Sequence, residues 1–471
     1  MAAMIGQRGG IAAVDEVAHR VVLYFWRTVA GGRVNSPLDS GTTSSLDMRE
    51  FIKTEPDAGP SHKPLTVAEV GLRQTVLEEL ALKALYLSGP FSVLDLSRHM
   101  RLSFEVASEL LKRLRTEQLC QVTGMSGTIP NLAITMQGRA RAMELLSQNQ
   151  YAGPAPVPLS SYVEQIEKQK VNLVEVHPGD VSRAFSKLVI DDRTLYQLGT
   201  ALNSGAAIFL HGPAGVGKTT IAETLSQVLA EDYIWMPYAV EIDGQIITVY
   251  DPTLHQRATE DELGNRDERW VRCKRPAVIV GGELTVEMLD LQYNPATKFY
   301  SGPVQMKANN GVLIIDDFGR QRVRPDELLN RWVVPLDRKI DFLTLAGGRK
   351  IEIPFEMLVV FASNLDPNEL MDAAFLRRIQ TKIYIGAATD EQFCEILRRV
   401  LADRELAYDQ MLAMALIDFI KGTLKQELRP CFPRDIVNQI CWAAKYEGKK
   451  PELTRDSVMR ALEAYFLLPA S

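Results

Sequence analysis

Residues Gly212, Pro213, Ala214, Gly215, Val216, Gly217, Lys218, Thr219 and Thr220 stand in one unbroken run that fits the spacing G-x-x-x-x-G-K-[ST]. Those residue types suit a polyphosphate. Glycines at 212, 215 and 217 let the backbone wrap closely and turn its N–H groups inward. A helix begun at Lys218 presents its positive end to the same oxygens. The Lys218 ammonium adds a full charge for the outer phosphates, and the Thr219 hydroxyl is placed for a magnesium ion.

A second candidate group follows about a hundred residues later. Residues 312–315 (Val-Leu-Ile-Ile) run directly into Asp316 and Asp317. Four apolar residues ending in acid place a carboxylate at the C-terminal tip of a buried strand, the edge where open α/β sheets bind ligands. Asp316 then orients magnesium through its water shell, and Asp317 is placed to polarise an attacking water.

The elements that must hold these groups are legible around them. Short apolar runs at 206–210, 312–315, 358–361 and 382–385 alternate with helical stretches, including one at 221–229 just after the glycine-rich turn. Continuous apolar runs bounded by helices are the mark of strands buried on both faces of a parallel sheet. Beyond residue 388 only helical periodicity remains. The expectation is an α/β P-loop nucleoside-triphosphatase sheet over 173–388 with a helical lid over 389–471.

The 471 residues suffice for two or three domains, and 46% apolar with 24% charged residues is ordinary for a folded chain. A net charge of -6 gives no support to a chain-wide nucleic-acid surface. Five scattered cysteines without a C-x-x-C pair read as reduced thiols, and six scattered histidines offer no metal cluster. Asp15, Glu16, His19, Arg20 and Arg27 interrupt the apolar stretch 11–30, so neither a membrane span nor a secretory signal is expected, and the location is taken as cytoplasmic. Residues 1–64 are expected to be disordered, rich as 31–64 are in Gly, Ser, Thr, Asp and Pro. Residues 65–150 give helices, a hairpin and a closing helix, a pattern that resembles the winged helix-turn-helix domains of bacterial regulators. Proline-rich residues 151–158 are expected to be an extended, semi-rigid spacer, continuing through a connecting helix to 172.

Further motifs resemble those of AAA+ ATPases. Residues 361–364 (Phe-Ala-Ser-Asn) are similar to sensor one, which implies that Asn364 contacts the γ-phosphate. Residues 372–379 are similar to the segment carrying the arginine finger, which implies that Arg378, or failing it Arg377, acts on ATP held by a neighbouring subunit. Residues 428–435 are similar to sensor two, which implies that Arg434 reaches the nucleotide from the lid. Two β-type runs joined through Gly347-Gly348 resemble the hairpin that precedes sensor one in the branch of MoxR-type ATPases, and residues 309–312 resemble MoxR-type proteins as well. Asp317 departs from the family's usual glutamate; one methylene shorter, it is expected to hold the water less well and slow hydrolysis. The long interval 221–310 carries no recognised chemistry and is expected to hold an inserted hairpin or a partner-contacting loop, or else a solvated surface loop.

The resemblance implies ATP and Mg²⁺ as cofactors, a homo-oligomeric ring of six, and a chaperone-like ATPase that remodels an unidentified protein client. The alternatives are an ATP-switched regulator that binds DNA through the winged helix, and a nucleotide-binding scaffold that barely hydrolyses. The helix over 102–119 sets Glu105, Glu109 and Glu117 beside Lys112, Arg113 and Arg115, a poor footprint for DNA phosphates.

Overall fold

The computed structural model describes residues 59–60, 62–126, 129–230, 232–258, 266–370 and 373–466. The apolar stretch 11–30 and nearly all of the segment expected to be disordered lie outside these residues. Where the latter enters them, at 62–64, it is held in place. His62 forms a bridge to Arg266, the Lys63 ammonium meets the Glu268 carboxylate at 2.5 Å, and Pro64 is buried.

The first domain is built from α1 (Gln74–Ser88), β1 (Phe91–Ser92), α2 (Val93–Met100), α3 (Phe104–Thr116), β2 (Cys120–Ser126), β3 (Ile129–Ile134) and α4 (Met136–Gln148), with the strands antiparallel in the order β1-β3-β2. Each later helix starts on a side-chain cap. Ser92 and Asp95 form a capping box, Ser103 accepts from the Val106 N–H, and Thr135 accepts from the Gly138 N–H. Each such cap contributes about 1 kcal/mol. Leu77, Leu80, Leu110, Leu111 and Leu114 close the core.

Residues 151–158 are not a free spacer. Ala155 and Val157 are fully buried, and β4 (Val157–Pro158) joins a sheet. Next come α5 (Leu159–Lys168), α6 (Pro178–Ala184), α7 (Asp192–Ser204), β5 (Ile208–His211) and α8 (Lys218–Val228).

The interval 221–310 is neither a lone hairpin nor a solvated loop. It contributes β6 (Tyr233–Pro237), β7 (Ala239–Ile242), β8 (Gln245–Thr248), β9 (Trp270–Lys274), β10 (Ala277–Val280), β11 (Gln292–Tyr293), β12 (Tyr300–Ser301) and α9 (Val304–Ala308). Strands β6 and β9 form an antiparallel ribbon, while a second five-stranded sheet runs β11-β12-β8-β7-β4. Trp235, Val240, Ile247 and Trp270 pack with Tyr162 and Ile166 of α5 in one buried cluster. The first domain is docked on this insertion, since Ala239 and Ile246 belong to its core. Arg269 locks the junction. It is 5% exposed, pairs with Asp267, and donates to the carbonyls of Val70 and Pro156.

The remaining elements are β13 (Val312–Ile315), α10 (Pro325–Arg338), β14 (Ile340–Thr344), β15 (Lys350–Pro354), β16 (Leu358–Ser363), two short helices α11 (Pro367–Leu370) and α12 (Ala373–Leu376), and β17 (Thr381–Tyr384). The central sheet is parallel, in the order β10-β13-β16-β5-β17. Ile208, Leu210, Ile314 and Val360 are buried in its middle, and helices cover both faces. This is an α/β fold built on a parallel five-stranded sheet, the class expected. The hairpin β14–β15 packs Leu343, Ile351 and Ile353 into the insertion's core instead of standing free.

A buried polar junction joins the two sheets. The Asn309 amide donates to Tyr162 Oη and to the Pro354 carbonyl, and the Asn310 amide donates to the Ile166 carbonyl and accepts from Gln169. Helices α13 (Asp390–Asp403), α14 (Gln410–Asp418), α15 (Cys431–Tyr446) and α16 (Arg455–Phe466) form the C-terminal domain around Phe393, Leu397, Leu416, Phe432, Ile436 and Leu462.

Candidate active site

Strand β5 delivers the chain into the glycine-rich turn, and α8 leaves it. Gly212, Gly215 and Gly217 have φ of 145°, 82° and 92°. A Cβ at Gly212 would stand 2.0 Å from the Ile385 carbonyl, and one at Gly215 would stand 2.7 Å from Cys431 Sγ. Both the backbone conformation and the close approach therefore exclude other residues there.

Lys218 is 7% exposed. Its ammonium donates to the carbonyls of Gly212 (2.9 Å) and Pro213 (2.7 Å) and to Asn364 Oδ1 (2.6 Å). Burial lowers its pKa, opposed by the negative charges of Asp317 and Asp316. The Thr219 hydroxyl lies 2.9 and 3.0 Å from the two carboxylate oxygens of Asp316. Asn364, at the end of β16, donates to Asp317 Oδ1 at 3.2 Å. The sequence-derived residues Lys218, Thr219, Asp316, Asp317 and Asn364 thus meet at one point.

The turn after β13 aims the two acids. Asp317 sits in the left-handed region at φ 48°, which aspartate tolerates better than most side chains. The Phe318 N–H donates to the Ala362 carbonyl, Ser363 Oγ donates to the Phe318 carbonyl, and Gln321 Nε2 donates to the Asp316 carbonyl. His211, at the end of β5, has its pKa lowered, chiefly by burial, with the Lys218 charge adding to the shift and Asp366 opposing it.

Lys218, Thr219, Asp316, Asp317 and Asn364 line a cavity of about 580 Å³, within the range of ligand pockets. One wall is residues 187–190 and another is the lid, through Ile396, Val400 and Pro430. The lid rests on the turn: the Cys431 N–H donates to the Gly215 carbonyl at 3.3 Å. Arg399 ties the two walls, donating to the carbonyls of Ser186 and Leu188. Arg399 and Asp403 line the cavity without any sequence motif to mark them; on an amphipathic helix both read as solvated charges.

Arg434 lines the cavity, with its side chain 66% exposed and its Nε donating to Asp435 Oδ1. Arg378 does not line it. Thr381 pairs with Ile208 at the start of β5, so the turn bearing Arg378 lies at the opposite end of the sheet from the glycine-rich turn. There its Nε meets Asp337 Oδ2 at 2.8 Å.

The donor set fits magnesium. A hydroxyl and a carboxylate held together are hard oxygen ligands, and this ion takes one or two protein oxygens plus phosphate and water. Among the described residues no cluster of three or more His, Cys, Asp or Glu side chains offers a metal site built of protein alone.

The family described as a domain of unknown function (DUF8689) matches residues 389–464, which is the C-terminal helical domain. None of the curated proteins compared matches the chain. Similar solved structures include NtrX from Brucella abortus in complex with ADP (14% identity, 62% of this chain and 58% of that one, TM-score 0.38). They also include the RuvB Holliday junction branch migration motor of Thermotoga maritima (15% identity, 58% and 69%, TM-score 0.35). Domain III of the Thermotoga maritima replication initiation protein DnaA is another (14% identity, 62% and 99%, TM-score 0.34). The chain spans little more than half the length of NtrX. With TM-scores below 0.5, the fold rests on the strand order and register given above.

Proposed function

We propose that this chain is an AAA+ ATPase that binds MgATP between the glycine-rich turn and the helical lid and hydrolyses it to remodel a protein partner. One observation carries the reading: residues from three separate strand ends meet inside one cavity in two hydrogen-bonded groups, Lys218–Asn364–Asp317 and Thr219–Asp316.

The backbone N–H groups of Gly212 and of residues 214–220 surround the phosphates, Pro213 having none. Lys218 neutralises the outer two. Thr219 and Asp316 hold magnesium, which offsets the charge that develops on the transferring phosphoryl group. Asp317 polarises the water that attacks the γ-phosphorus, and Asn364 keeps that carboxylate aimed. Arg434 meets the nucleotide from the lid. The resemblance to AAA+ ATPases adds an arginine from a neighbouring subunit, hence a homo-oligomeric ring, and a protein client.

The first domain, with three helices, a hairpin and a closing helix in that order, serves in this reading as a winged helix that docks protein. Part of its basic charge is already engaged: the Arg113 guanidinium lies 3.5 Å from Glu109 and 3.8 Å from Glu78. That pairing speaks against duplex DNA as its ligand. Among the described residues no helix is long and apolar enough to cross a membrane.

Purified protein should bind ATP only with magnesium and release phosphate. Lys218→Ala should lose binding, and Asp317→Asn should bind ATP but not turn it over. Wild-type protein without magnesium-dependent ATP affinity sinks the reading.

A further inference from the structure

We propose that Asp403, at the outer end of the first lid helix, selects the nucleotide by its sugar, accepting hydrogen bonds from the ribose hydroxyls. Arg399 is the positioning residue that holds this helix over the cavity. This rests on the ATPase reading above.

Helix α13 has two differently occupied faces. Phe393, Leu397 and Leu401 are buried in the core of the C-terminal domain. Ile396, Arg399, Val400 and Asp403, spaced i, i+3, i+4 and i+7, form one row and line the nucleotide cavity. Arg399 pins that row in place. Its Nε meets Glu395 Oε1 at 2.9 Å, and its Nη1 donates to the carbonyls of Ser186 at 2.9 Å and Leu188 at 3.3 Å. The lid is thereby clasped to the other wall of the cavity, and the position of Asp403 above it is set.

Stability does not explain an acid at position 403. Asp403 is the last residue of α13, where the helix dipole favours a cation. Among the described residues its carboxylate has no ion-pair or hydrogen-bond partner. Lys187, on the other wall of the cavity, does not pair with it either. Asp403 also borders a site for a polyanion, whose charge repels it. A carboxylate placed in this way becomes favourable where the ligand turns a hydrogen-bond donor toward it.

ATP carries such donors on its base, as the N6 amine, and on its ribose, as the 2′ and 3′ hydroxyls. The base has a place of its own. Val189, Ile190, Val216, Ile221 and Pro430 line both the nucleotide cavity and an adjoining recess of about 100 Å³, an apolar slot that suits a flat ring. Gln392, near the start of α13, borders the same recess. At 1.5 Å per residue the helix carries Asp403 about 16 Å beyond Gln392, away from a base seated there. The ribose joins the base to the phosphates, and its hydroxyls are the donors left for Asp403. Acids read ribose hydroxyls by the same chemistry at dinucleotide sites.

The experiment measures affinities for ATP, 2′-deoxy-ATP, 3′-deoxy-ATP and GTP by calorimetry, with melting temperatures, for wild type, Asp403→Ala, Arg399→Ala, Arg399→Lys and Lys187→Ala. Wild type should bind ATP about ten- to a hundredfold more tightly than at least one deoxy analogue, the worth of one hydrogen bond to a charged group. Asp403→Ala should bring the three adenine nucleotides to a common affinity without a fall in melting temperature. Arg399→Ala should shrink the same ratio although Arg399 does not touch the sugar, and Arg399→Lys should restore part of it. A melting temperature lowered by Arg399→Ala with the ratio untouched would show a merely structural clasp and overturn its positioning role. Wild type indifferent to both deoxy sugars, a ratio that survives in Asp403→Ala, a collapse matched by Lys187→Ala, or a change in Asp403→Ala confined to the preference for ATP over GTP each overturns the assignment of Asp403 and leaves the ATPase reading standing. A wild-type chain that binds none of these nucleotides overturns both.

Discussion

Lys218 Nζ donates to Asn364 Oδ1 at 2.6 Å, and the amide nitrogen of the same Asn364 donates to Asp317 Oδ1 at 3.2 Å. One amide therefore bridges the cation that would bind the γ-phosphate and the carboxylate that would activate water. A γ-phosphate must compete with Asn364 for the ammonium. Asn364→Ala should bind ATP at least as tightly as wild type, yet lose about 10²–10³ in single-turnover rate, the usual cost of one aligned polar group. Equal loss of affinity and rate would show that Asn364 only shapes the pocket.

Lys218→Met separates stability from function. Burial lowers the pKa of this ammonium below 10.5, so folding without ligand is opposed by its charge. The unfolded chain binds the proton more tightly. The deficit is therefore present at neutral pH and fades as the pH rises between the folded pKa and 10.5. The variant should lose ATP affinity while its ligand-free melting temperature at neutral pH does not fall; a large fall would contradict this.

Thr219→Val removes the hydroxyl that lies 2.9 Å from Asp316 while keeping the shape. The expected outcome is a higher magnesium requirement, read as a rightward shift in a magnesium titration of ATP hydrolysis. ATP binding without metal should be little changed.

The insertion should be sensitive to acid. His255 is 1% exposed; its Nδ1 accepts from the Asp251 N–H at 2.8 Å and its Nε2 faces the Lys307 carbonyl at 2.9 Å. That arrangement requires the neutral ring. Burial lowers the pKa from 6.5, and Lys307 adds to the shift while Asp251 and the backbone contacts oppose it. The unfolded chain takes up the proton first, so this stability is full above pH 6.5 and is lost as the pH falls through the lowered folded value. Melting temperature measured from pH 8 to 5.5 should decline less steeply in His255→Asn. Parallel curves would remove His255 as the cause.

Arg269→Met leaves Asp267 buried and uncompensated, a change that costs about 3–5 kcal/mol. Limited proteolysis should then cut within 151–158, a stretch that wild type protects by burying Ala155 and Val157.

What the sequence made legible was local. The glycine-rich turn and the acid pair each lie within a few residues, and a strand end is enough to interpret them. Asn364 and Arg434 came from resemblance, and both reach the cavity. The insertion was opaque because its pairing is not local. Tyr233 pairs with Lys274, and Ile247 with Tyr300, while short strands mixing Tyr, Trp and Arg show no clean alternation. The mooring of 151–158 was missed for a related reason: its partner, β7, lies some eighty residues away in the chain. Arg399 carries no motif, and its partners are main-chain carbonyls that any residue type supplies.

Because Ala239 and Ile246 complete the core of the first domain, that domain is not a cassette to be clipped off at residue 150. A chimera cut there would leave an apolar socket on the remaining half and an unfilled cleft in the transplanted one. The transferable unit is discontinuous, and any graft must carry the insertion strands together with the head they seat.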